Sequence, residues 1–196
     1  MTTASLPIAC VSRPTPRHFG IYVTELQRMV DFYTQVFDLT ITDRGVGKRF
    51  KSELVFTSAT PDQHHQLVLA SGRPAEATFS TVMQISFMVP SIQNLREIRQ
   101  KSLDRGASGM RELNHGNALS IYFEDPEGNT VEVYLDTPFY IAQPHSDPLD
   151  LSLSDETIME RTEAACRADP TFMPLAEWQA RFVAMAPAAA KAMTSN

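Results

Sequence analysis

The chain repeats itself, and that constrains its fold more than any single motif does. Residues from Arg17 to Leu69 can be laid over residues from Met83 to Leu135, each reading as strand, helix and three strands. In the first copy HFGIYV from His18 alternates as a strand, and Thr24 is the expected cap of a helix with Leu26, Met29, Val30, Tyr33 and Phe37 on its apolar stripe. Three strand-like runs follow: LTITD from Leu39, ELVFTS from Glu53 and HQLVLAS from His65, separated by the turn-rich GVGK and TPDQ segments. In the second copy QISFMV from Gln84 is the opening strand. Ser91 caps a helix with Ile92, Leu95 and Ile98 facing inward, and Gly106 stops it. One βαβββ copy alone leaves an open edge and an uncovered concave face, which two copies side by side remedy. The expected fold is therefore α+β, with two tandem βαβββ modules forming a curved cup of eight strands, helices outside, plus a C-terminal helical arm.

The expected organisation is an N-terminal segment over 1–16, a two-module domain over 17–136 (modules at about 17–72 and 82–136) and an extension over 137–196. The extension opens with the proline-rich TPFYIAQPHSDP. Ser154 then caps a helix to about Ala168, halted by Asp169 and Pro170, and a second helix starts near Pro174. Its Leu175, Trp178, Phe182 and Met185 form a stripe that needs a partner, either the outside of the sheet, a dimer interface or the cup mouth. The alanine-rich tail after Pro187 is expected to fray.

Composition narrows the function. With 196 residues and 43% hydrophobic content the chain can bury a full core. A formal net charge of −6 without a basic run gives nucleic acid no electrostatic reason to bind. Apolar runs are too short for a signal peptide or membrane span, so the cytoplasm is the expected compartment. Cys10 and Cys166 have no zinc or disulfide spacing and read as reduced and structural.

The segment from His115 to Glu132, HGNALSIYFEDPEGNTVE, carries the chemistry. Asp125, Pro126, Glu127, Gly128 and Asn129 form a tight turn between two strands. By alternation Ser120 and Tyr122 share one face while Leu119, Ile121 and Phe123 share the other. Glu132 lies between Val131 and Val133 in sequence, where an unpaired carboxylate would be costly. Overlaying the modules aligns His18 with Gln84 and Val68 with Glu132.

This pattern from Arg17 through Leu135 resembles the vicinal oxygen chelate superfamily, which includes glyoxalases, fosfomycin and bleomycin resistance proteins, and extradiol ring-cleaving dioxygenases. It is most similar to the type I extradiol dioxygenases, whose signature His115, Ile121, Tyr122, Asp125, Pro126, Gly128 and Glu132 fit; Leu113 departs from it. The resemblance implies Glu132 and His18 as ligands of a divalent ion, Fe(II) or Mn(II), in a setting that suits oxygen chemistry. It further implies His115 and Tyr122 as groups that hydrogen-bond the substrate oxygens, and His65 as the acid/base histidine, with His64 as the alternative. Gln84 stands where that family has a second histidine ligand. Its amide either ligates weakly or hydrogen-bonds within the cup floor. His145, in the connector, reads as a surface residue unless the connector crosses the cup mouth.

The function implied is a metal-dependent dioxygenase acting on a small aromatic substrate and O2, with no nucleic-acid or membrane partner; a homodimer is compatible. The alternatives are a non-oxidative metal-dependent isomerase, lyase or hydrolase of the same fold, and a metal-free protein that sequesters a small molecule. Val68 stands where glyoxalase-type sites have a second carboxylate, which weakens a glyoxalase assignment specifically.

Overall fold

The computed structural model describes residues 14–49 and 51–185. The first copy of the repeat folds as β1 (Phe19–Val23), α1 (Leu26–Phe37), β2 (Thr40–Val46), β3 (Glu53–Ser58) and β4 (Leu67–Ser71). The second folds as β5 (Ile85–Met88), α2 (Ile92–Asp104), β6 (Ser108–Asn114), β7 (Ala118–Glu124) and β8 (Thr130–Asp136). In each copy the first strand runs parallel to the last, giving the orders β1-β4-β3-β2 and β5-β8-β7-β6. The register is shared too: Gly20 pairs with Val68 across β1 and β4, and Ser86 with Glu132 across β5 and β8. The eight strands thus fall into two four-stranded halves, with β1 and β5 each at an edge of its own sheet.

Alternation decides which face is buried. Leu119, Ile121 and Phe123 of β7 and Val131 and Val133 of β8 are buried on the helix side, as are Ile21 and Val23 of β1. They join Met29, Val30, Tyr33 and Val36 of α1 and Leu95 of α2 in one core that spans both modules. Phe37 of α1 stacks on Phe87 of β5 with ring centroids 3.8 Å apart, so the first helix packs on the second module.

Thr24 does not cap α1. The N-cap is Glu25, without a side-chain bond, and the exposed N–H groups of Thr24 and Glu25 instead donate to the Glu127 carboxylate at 2.7–2.9 Å. A carboxylate from the distant β7–β8 turn satisfies both the orphan donors and the positive end of the helix. Ser91 and Ser154 do cap as expected, accepting from Asn94 N and Thr157 N at 3.2 Å.

The β7–β8 turn is fixed from within. Gly128 adopts φ +77°, Asp125 Oδ1 accepts from Glu127 N and Asn129 N, and its Oδ2 accepts from Asn129 Nδ2 and from Tyr33 Oη at 2.8 Å. Burial nevertheless pushes the Asp125 carboxyl above the usual carboxylate range.

The arm adds β9 (Phe139–Tyr140), β10 (Asp147–Pro148), α3 (Asp155–Ala168), β11 (Met173–Pro174) and α4 (Leu175–Met185). β10 extends the second sheet beside β6, and Arg96 of α2 anchors the approach to α3 through the carbonyls of Leu151 and Leu153 and the carboxylate of Asp155. Within the chain, the α4 stripe finds its partner in the arm itself: Trp178 stacks on Tyr140 at 5.5 Å and on Phe182. The tail after Pro187 lies outside the described residues. No described helix is long and apolar enough to cross a membrane.

Candidate active site

On the face of the second sheet opposite the helices, Glu132 is only 8% exposed, yet both carboxylate oxygens are occupied. Oε1 accepts from Tyr122 Oη at 2.5 Å and from Ser120 Oγ at 3.0 Å; Oε2 accepts from Gln84 Nε2 and Ser86 Oγ, each at 2.7 Å. Four donors compensate the carboxylate that the flanking valines made costly and hold it in one orientation. Strand alternation supplies them all. Gln84 and Ser86 share a face beside Glu132, as do Ser120 and Tyr122 across the β7–β8 ladder.

The network continues outward. Tyr122 Oη lies 3.1 Å from His115 Nε2, and His115 Nδ1 lies 2.6 Å from the backbone carbonyl of His145. A carbonyl only accepts, so Nδ1 carries a proton and Nε2 is the nitrogen facing the site. Burial and the Glu132 bond push the Tyr122 hydroxyl well above its ordinary range, which keeps it a proton donor. The Arg111 guanidinium lies over the Tyr122 ring, 5.4 Å from its centroid. His115, Tyr122, Glu132, Tyr134 and Gln143 line an open cavity of about 290 Å³. Gln143 bridges its rim, donating from Nε2 to the His115 carbonyl at 2.8 Å and to Asn117 Oδ1 at 3.1 Å.

The first module carries a different cluster. The ring of His18 lies against that of His65, centroids 4.2 Å apart, and the Nδ1 atoms of His64 and His65 are 2.9 Å apart. His64 Nε2 meets Asp43 Oδ2 at 2.8 Å. Because the carboxylate accepts, His64 Nε2 holds the proton and its Nδ1 is free to accept from His65. His65 is therefore the residue turned toward His18, and His64 the one turned toward Asp43. Burial, followed by the neighbouring His18 and His64, pulls the His65 imidazole below its ordinary range.

The structure brings Gln84, His115, Tyr122 and Glu132 together, and separately His18 with His64 and His65. Within one chain no hydrogen bond or ion pair joins His18 to Glu132. Gln84 serves Glu132 as a donor rather than presenting its oxygen. Among the described residues no three His, Cys, Asp or Glu side chains gather where they could hold a metal ion, so one chain by itself does not fit the divalent ion that the sequence pattern implies.

Sequence reasoning missed Ser86 and Ser120 as partners of Glu132, although both sit on the face that alternation assigns to Gln84 and Tyr122. It also missed Gln143. The role of His145 is a backbone one, its carbonyl holding His115 while its side chain reaches Asp147 at 3.1 Å; a backbone acceptor has no signature in side-chain pattern.

Residues 15–133 fit the model of the glyoxalase/bleomycin resistance protein/dioxygenase superfamily. The chain is 26% identical over 129 residues to biphenyl-2,3-diol 1,2-dioxygenase 3 of Rhodococcus globerulus, an alignment covering 62% of this chain and 64% of that protein. It is 23% identical over 119 residues to lactoylglutathione lyase of Escherichia coli O157:H7, covering 59% of this chain and 88% of the lyase. In fold it is similar to a glyoxylase/bleomycin resistance protein/dioxygenase domain from Frankia sp. EAN1pec, with TM-score 0.51 and 19% identity over 61% of this chain and 95% of that one. With the repeat, the shared register and the family match agreeing on the same stretch, the chain belongs to the glyoxalase/bleomycin resistance protein/dioxygenase superfamily.

Proposed function

We propose that this chain is a metal-dependent extradiol-type dioxygenase that opens a catechol-like or hydroxylated aromatic ring. The observation carrying this reading is the hydrogen-bonded series Glu132–Tyr122–His115 along one cavity wall. The Tyr122 oxygen, whose own proton goes to Glu132, and the His115 Nε2 are two adjacent acceptors that can take the hydrogens of two neighbouring substrate hydroxyls. The dioxygenase relative supports the reaction class. Fe(II), with Mn(II) the alternative, is the ion that the dioxygenase reading calls for, and the described residues of one chain do not by themselves hold it.

The chain's own residues have distinct tasks. Tyr122, held neutral with its one proton on Glu132, accepts from a substrate hydroxyl and cannot compete with the substrate as an anion. His115 is locked by the His145 carbonyl, which sets the direction of its inward nitrogen. His65, biased toward its neutral form, is the general acid/base that the dioxygenase reading names, and it stands with His18 and His64 and not on the wall formed by Glu132, Tyr122 and His115. Tyr134 contributes the ring at the cavity wall that an aromatic substrate meets.

The test is anaerobic loading with Fe(II), followed by air and a panel of catechols. Oxygen uptake with the absorbance of ring-cleaved product is the expected result; a protein that retains no iron and consumes no oxygen contradicts the reading. The lyase relative, aligned over most of its own length, favours a second reading, a non-oxidative isomerase or lyase. Turnover without oxygen consumption would select it.

A further inference from the structure

The cavity wall on β8 runs past Tyr134. Glu132, Tyr134 and Asp136 occupy every second position of that strand, so alternation sets them on one face, and all three line the cavity. Asp136 stands about 13 Å along the strand from Glu132, four times the rise per residue. Across the ladder Tyr122 pairs with Glu132 and Ala118 with Asp136, which puts Tyr122 at the inner end of the cavity and Asp136 at the outer. The outer end lies beyond residues 15–133, the stretch that matches the family, and the connector fixes its place. Thr137 donates from Oγ1 to the Gly116 carbonyl at 2.5 Å and from its backbone N to the Asn117 carbonyl at 3.0 Å.

Gln143, at this outer end, is already engaged. Its Nε2 donates to the His115 carbonyl and to Asn117 Oδ1, and its Oε1 accepts from His145 N at 3.1 Å. Asp136 is different: among the described residues no hydrogen bond or ion pair reaches its exposed carboxylate. The cavity lining holds two carboxylates, Glu132 and Asp136, and neither lysine nor arginine. Glu132 has its four donors, so Asp136 is the acceptor left open. The Arg111 guanidinium lies over the Tyr122 ring from β6, on the side of β7 away from β8, and leaves Asp136 uncountered.

We infer that the substrate carries a cationic substituent received by Asp136, and is a catechol whose ring bears a short aminoalkyl chain. The catechol part rests on the dioxygenase reading; the charge preference does not. With two hydroxyls at the Tyr122 oxygen and His115 Nε2, the ring lies along Tyr134 and a short chain spans the remaining distance to Asp136. An ammonium group there supplies the donors that the carboxylate lacks, whereas a carboxylate substituent meets like charge. At about 290 Å³ the cavity is at the small end for ligand sites, which suits one ring with a short chain.

Binding to the full chain as purified, kept under nitrogen so that no turnover occurs, tests this by calorimetry with three probes: 4-(2-aminoethyl)catechol, 4-ethylcatechol and 3-(3,4-dihydroxyphenyl)propanoate. The amine should bind roughly 3- to 5-fold more tightly than the ethyl compound at low salt, the range of one exposed charge pair, and the propanoate more weakly than either. Added salt should shrink the difference. Asp136→Asn should bring the amine and ethyl compounds together, and Asp136→Lys should turn the preference toward the propanoate. Equal binding of all three by the wild type, binding of none, a preference for the propanoate, or an amine preference that survives in Asp136→Asn overturns the inference. An amine preference that depends on Asp136, in a protein that consumes no oxygen when supplied with Fe(II) and air, upholds it and contradicts the dioxygenase reading instead.

Discussion

Two walls built on one repeat have been given opposite characters. At the matched ladder position the first module places Gly20 beside Val68, the second Ser86 beside Glu132. The second wall is a buried carboxylate with every lone pair engaged and a relay leading out through Tyr122 and His115. The first is a set of imidazoles in which His64 and Asp43 are largely in solvent and β2 is exposed along its length. Duplication supplied two equivalent scaffolds, and chemistry was divided between them. One wall holds a carboxylate fixed by four donors, while the other offers imidazole nitrogens. Preorganisation at the carboxylate wall is what a charged first partner for an ion requires, because an unpaired buried carboxylate would otherwise be protonated or displaced.

The largest way to break the comparison is Glu132→Ala, which should lower Mn(II) or Fe(II) affinity by more than about 100-fold, beyond the loss usual for residues that merely support a ligand. Val68→Ala, at the matched position, should leave affinity unchanged; titration with Mn(II) reads both. Next is Gly116, at φ +75° in the turn between β6 and β7, where an added Cβ would run into Ile141 of the arm and crowd Cys166. Gly116→Ala should cost about 2–4 kcal/mol in denaturant unfolding, since strain and overpacking add, and it should loosen the connector that holds His115. Tyr33→Phe removes one of the donors to buried Asp125 and should cost about 1–2 kcal/mol by the same assay.

The smallest effects sharpen the contrast. His64→Asn, at an exposed pair with Asp43, should change stability by less than about 0.5 kcal/mol. The His65 imidazole should titrate below 6.5 when followed by NMR, and move upward in a His18→Ala, His64→Ala double variant. The sign follows from a folded state that favours neutral His65. Its contribution to stability is intact above 6.5 and falls as pH drops from there toward the folded midpoint, because the unfolded chain takes the proton first.

The repeat was legible because it is written in side-chain alternation and helix spacing, which depend on nearby residues alone. The overlay of Val68 on Glu132 reappears as a ladder position. The caps at Ser91 and Ser154 were legible for the same reason, being contacts between residues three apart. The start of α1 was not, since its partner, Glu127, lies 102 and 103 positions away. Alternation also separated His64 from His65 onto different neighbours, but which of them met His18 depended on Asp43, a residue on another strand. The site was half readable. A buried carboxylate between valines demanded donors, and alternation placed the candidates on its face. The grip of the connector on His115 runs through a backbone carbonyl and could not be read.

Whether the series Glu132–Tyr122–His115 handles a ring-cleaving substrate is tested most directly by oxygen uptake of Fe(II)-supplied Tyr122→Phe beside the wild type, with a catechol and air. Oxygen uptake in the wild type that is largely lost in the variant is the expected result. Uptake at the wild-type level in Tyr122→Phe would contradict the account.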